Sequence, residues 1–82
     1  MSSETVGGYF ASPSEEALKQ AIAYDVAHDD AALESIKRTG PVIVLRSGIR
    51  VQIVERKLFQ GTLKVRPIGE TMELWTVVEA VR

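Results

Sequence analysis

From Gly48 to Ile68 the chain alternates apolar and polar residues with a period of two. Ile49, Val51 and Ile53 fall on one face of a first strand, with Arg50 and Gln52 on the other; Leu63 and Val65 repeat the pattern, with Lys64 and Arg66 facing outward. Such alternation predicts a half-buried antiparallel pair. Residues 56–61 connect the two strands, and the sequence predicts a loop that folds Leu58 and Phe59 back over an open end of the sheet. Val42–Leu45 is a continuous apolar run, which predicts a strand buried on both faces. Thr71–Trp75 predicts a further strand, and Pro67 marks an edge or a strand end because it has no N–H to donate. Thr76 and Glu79 have capping-box spacing, so a single helical turn follows, with Ala80 and Val81 closing against the core. Twelve of the twenty apolar residues in 41–82 are Val or Ile, a composition that favours strands.

The first half has a different period. Leu18, Ile22 and Val26 recur every four residues, joined by Ala17, Ala21 and Ala23, which predicts an amphipathic helix of about three to four turns. Ser12 is placed to cap it, Pro13 suits the first helical position and Glu15 can reach back to the cap. His28-Asp29-Asp30 interrupts the pattern. Asp29 or Asp30 then caps a shorter helix through Ala32, Leu33, Ile36 and Lys37, with Lys37 and Arg38 in its last turn and Gly40-Pro41 ending it. The two segments read as a helical hairpin or as one bent helix. Residues 1–11 show no period and predict a partly disordered lead that becomes ordered near Tyr9.

Eighty-two residues make one small domain, near the size at which a single core barely outweighs chain entropy. The absence of cysteine excludes disulfides, thiolate metal sites and a cysteine nucleophile. No apolar run approaches a membrane span, and the N-terminus lacks the pattern of a secretion signal, so a cytoplasmic location without membrane contact is expected. Net charge is −1, divided into −4 over residues 1–40 and +3 over residues 41–82.

Several short strands with tight turns suggest a small barrel, which removes exposed sheet edges. Residues 41–82 resemble a bacterial SH3-like domain: an apolar first strand, then Gly48-Ile49-Arg50-Val51, then Leu63-Lys64-Val65-Arg66, then a strand carrying Trp75 and a final turn. Many such domains place Gly before the late Trp and Val after it, whereas Leu74 and Thr76 flank Trp75 here. The resemblance implies a five-stranded SH3-like barrel for 41–82, and with the helical hairpin read from 12–40 the expected fold is α+β, the N-terminal hairpin packed on that barrel. The resemblance also implies a binding module, since members bind cell-wall material, peptides or protein partners.

Candidate sites follow from the same pattern. If residues 49–54 pair with 62–67, then Arg50, Gln52, Lys64 and Arg66 share the outer face, with Arg46, Arg56 and Lys57 near its ends. A cationic face fits RNA, DNA or an acidic protein. It is also what outward strand positions require, because long basic side chains discourage edge pairing. Phe59 and Trp75 are the two aromatics of this half, and Trp75 reads either as a ligand contact or as a core plug. Asp25, His28 and Asp29 have a spacing that places three ligands on one helix face, but they equally describe a helix break and its cap, and no metal or cofactor is expected. A single His without Cys leaves no base–nucleophile pair, so no enzyme is expected. The leading function is a non-enzymatic protein-interaction module for an unknown partner, self-association included; the alternative is nucleic-acid binding through the basic strand face.

Overall fold

A computed structural model describes residues 2–82. Six strands, β1 (Ser2–Glu4), β2 (Phe10–Ser12), β3 (Ile43–Val44), β4 (Arg50–Lys57), β5 (Thr62–Pro67) and β6 (Leu74–Val77), form one antiparallel sheet in the order β1-β4-β5-β6-β2-β3. Two helices, α1 (Glu15–Val26) and α2 (Asp30–Thr39), lie between β2 and β3 in the chain.

The sheet order explains the curl. β1 and β2 belong to one stretch of chain, and β3 and β4 to another. Between them the two stretches stay paired: the Leu45 N–H donates to the Tyr9 carbonyl, the Gly8 N–H to that of Leu45, and the Thr5 N–H to that of Ile49. Residues 2–12 and 43–52 therefore form one long bent ribbon whose halves sit at opposite ends of the sheet order. Bending that ribbon brings the ends round into a half-barrel. The C-terminus covers the far side of β1, where Glu4 and Arg82 exchange N–H···O bonds, both 3.0 Å, and Thr5 bridges Val81. The concave face holds Ala11, Leu45, Val51, Leu63, Val65, Leu74 and Ala80.

Thr5 stands at the bend. It is completely buried, and its hydroxyl donates to the Arg46 carbonyl (2.6 Å) and accepts from the Ile49 N–H (3.0 Å). Both groups lie where the ribbon leaves regular pairing, so one side chain supplies the bonds that the ladder does not.

Ser14, rather than Ser12, caps α1, its hydroxyl accepting from the Ala17 N–H. α1 ends in a Schellman arrangement: the Asp29 N–H returns to the Tyr24 carbonyl and the His28 N–H to that of Asp25, with His28 left-handed at φ 56°, the geometry that satisfies the last helical carbonyls. Asp29 then caps α2 through the Ala32 N–H. Lys37 holds the exposed Glu34 carboxyl below its usual pKa through a hydrogen bond and its charge. Ala17, Ala21, Leu33 and Val42 form a second small core, with Phe10, Tyr24 and Ile36 against it. No helix among the described residues is long and apolar enough to cross a membrane.

This arrangement overturns the expected helical hairpin on a five-stranded SH3-like barrel. The sheet has six strands, and two of them come from residues 2–12, expected as a partly disordered lead and a helix start. The helices do not precede a finished barrel; they are inserted between neighbouring strands, α1 lying against β2 and β6 while α2 lies against α1. Val26 is 73% exposed, so the inward face of α1 runs through Ala17, Leu18 and Ala21 instead. The Val42–Leu45 run is not buried on both faces: β3 is an edge strand with Ile43 and Val44 each 47% exposed, and only Val42 and Leu45 at its flanks are buried. The last strand begins at Leu74 rather than Thr71, and the turn after it, Val78–Ala80, is 3-10 with no side-chain cap.

Candidate interaction site

The β4–β5 register places the predicted polar residues on the convex face. Gln52 lies opposite Arg66 and Glu55 opposite Lys64, while Lys64 lies opposite Trp75 on β6. Arg50 belongs to the same face and lies opposite Glu4 of β1. The pairing slips between Ile53 and Glu55, which leaves Val54 as the extra residue of a β-bulge and returns Glu55, not Val54, to the face of Lys64.

The face so built is close to neutral. Lys64 Nζ lies 4.0 Å from Glu55 and 3.7 Å from Glu73, and the Arg66 guanidinium donates to Gln52 Oε1 at 2.6 Å. Lys57 reaches across to α1, 3.0 Å from Glu15 Oε1. Trp75, 8% exposed, lies under these lysines, with Lys57 and Lys64 Nζ at 4.9 and 5.0 Å from the ring centroid. Both ammonium groups are within range of attraction to the ring's negative face, and their aliphatic stems shield it from water. The second Glu15 oxygen is buried without a hydrogen-bond partner.

Phe59 stands apart from this group. β4 ends in a single 3-10 turn, Leu58–Gln60, closed by Gly61 at φ 71°, a left-handed position that suits glycine. Leu58 and Phe59 do not fold back over the sheet. Both project into solvent, and Phe59 is 108% exposed. Arg56 and Lys57 precede them.

At the other end of the β4–β5 hairpin the concave face opens as a cleft of about 360 Å³, lined chiefly by Ile43, Leu45, Ile49, Val51, Pro67 and Met72. Glu70 is its one charged lining residue. No signal in the sequence separated this opening from an ordinary filled core, because it arises from how far the sheet curls.

Asp25, His28 and Asp29 serve the end of α1 and the start of α2, and among the described residues no group of three His, Cys, Asp or Glu side chains is placed to hold a metal ion. Compared with known proteins, the chain matches no family model, no curated protein and no solved structure. The resemblance of residues 41–82 to bacterial SH3-like domains therefore rests on the residues quoted above alone.

Proposed function

We propose that this protein is a non-enzymatic, cytoplasmic protein-interaction module whose contact surface is centred on the Leu58–Phe59 tip. The observation that carries this reading is the full exposure of Phe59 on a turn fixed by Gly61. Burying an exposed Phe or Leu side chain is worth roughly 1.5–3 kcal/mol each, and an aromatic on a short turn loses little conformational freedom when it docks. Arg56 beside the tip favours a partner surface that is apolar with an acidic rim, whereas Lys57 is taken up by Glu15 and the Trp75 ring.

Nucleic-acid binding through the convex face has less behind it. Its cations stand among Glu4, Glu55 and Glu73, and its aromatic ring is roofed by lysine stems, whereas single-strand binders present open stacking platforms on a basic groove. Two variants test the choice. Phe59→Asp removes the tip, while Arg50→Gln, Lys64→Gln and Arg66→Gln together strip three charges from the convex face. The expected result is a protein captured from the native host that survives nuclease and is lost with Phe59→Asp, and no salt-sensitive binding of a generic single strand. Nuclease-sensitive capture that the triple variant loses and Phe59→Asp keeps would overturn the reading.

A further inference from the structure

The exposed tip and the open cleft are complementary, and they lie at opposite ends of one hairpin. From Val51 at the cleft to Lys57 at the tip is six residues of β4, about 20 Å at the rise of a strand. A tip therefore cannot enter the cleft of its own chain. We infer that the cleft receives the Leu58–Phe59 tip of a second copy, so that the protein associates head to tail; this rests on the proposal that the tip is the contact surface.

Size and charge both fit. A benzene-sized ring fills a cavity of about 150 Å³, so about 360 Å³ holds the Phe59 ring with the Leu58 side chain beside it. The lining is apolar except at Thr5 and Glu70, and Thr5 spends its hydroxyl on Arg46 and Ile49. Glu70 is left to meet Arg56 of the entering copy. The cleft's own exposed apolar residues, Ile43 at 47% and Met72 at 50%, are covered by the same event that covers the tip.

The two contacting surfaces differ, so each copy in a pair keeps one tip and one cleft free, and association does not stop at a dimer unless the rotation closes a ring. The contact is small, which sets it in the weak range.

Two variants separate donor from acceptor. Phe59→Asp keeps the cleft and loses the tip. Ile43→Lys with Met72→Lys keeps the tip and sets positive charge in the cleft mouth against Arg56; both positions are half exposed, so the fold tolerates them. Sedimentation from micromolar to millimolar concentration should show the average mass of the native protein rising. Each variant alone should stay monomeric, its self-affinity weakened roughly tenfold or more. Their mixture should give a one-to-one complex, with NMR shifts confined to cleft residues such as Ile43, Leu45, Ile49, Val51 and Met72 in labelled Phe59→Asp protein. A native protein monomeric at millimolar concentration, or a cleft variant that still self-associates, would overturn this inference while leaving the tip free to bind a foreign partner. Self-association undiminished in Phe59→Asp would overturn it together with the proposed function.

Discussion

Replacing Thr5 by Val tests whether one buried hydroxyl holds the bend of the ribbon. Valine has the same shape, so packing survives, and only the hydroxyl's two bonds, at 2.6 and 3.0 Å, disappear. An intramolecular hydrogen bond nets about 0.5–1.5 kcal/mol, and a buried group left without a partner costs about 1–3 kcal/mol. The added methyl returns up to about 0.8 kcal/mol. The balance is a loss of about 2 kcal/mol. For a domain of this size, a melting temperature moves about 4–8 °C per kcal/mol, so Thr5→Val should melt about 8–16 °C lower. Thr5→Ser is the control: it keeps both bonds and loses one buried methyl, for about 1 kcal/mol. Urea titrations followed by circular dichroism and by Trp75 fluorescence should rank the native protein first, Thr5→Ser second and Thr5→Val third, with the two probes coincident. Thr5→Val equal to or more stable than Thr5→Ser would refute the argument, since burial alone favours valine.

The remaining predictions concern the sheet and its tip. A fragment of residues 41–82 should be unfolded by NMR, because it removes β1 from beside β4 and β2 from beside β6; a dispersed spectrum would show that β4, β5 and β6 suffice. Gly61→Ala should lose about 1 kcal/mol in thermal melts, since nothing lies within 4 Å of the added carbon and the whole penalty is the left-handed backbone; a melt unchanged from native would mean that the turn adopts another conformation.

The strands β4 and β5 were legible because their alternation is local: Val51, Leu63 and Val65 read inward and are buried, and Gln52, Lys64 and Arg66 read outward and share the convex face. The Asp29 cap and the Gly40 stop were legible for the same reason. β1 was not, because Ser2-Ser3-Glu4 offers no apolar residue and its place is set by backbone bonds to Arg50–Gln52. Ser12 reads as a cap in Ser-Pro-Ser-Glu, yet it is fully buried in β2, opposite Trp75. The local pattern fits both serines, and tertiary contact decides between them. Ile53-Val54, two apolar residues where one should be polar, was the visible sign of the bulge. The near-neutrality of the convex face was hidden because Glu4 and Glu73 reach it from other parts of the chain and Glu55 through the bulge. Phe59 was misplaced by the ordinary rule that aromatics are covered, a rule that a protruding turn does not obey.

The bent ribbon also sets the order in which the molecule can be made. Ser2 pairs with Gln52, fifty residues later, and Ala11 pairs with Thr76, sixty-five residues later. Closing such separations must precede the contacts that reward it. During synthesis α1 and α2 can form as soon as they emerge, from bonds within residues 14–40. The strand in front of them has no partner at that stage. It stays an open edge, available to pair with another chain, until β6 and the Arg82 backbone have been added. Residues 2–12 are translated before every strand that pairs with them, and their edges are closed only once β6 and Arg82 have followed.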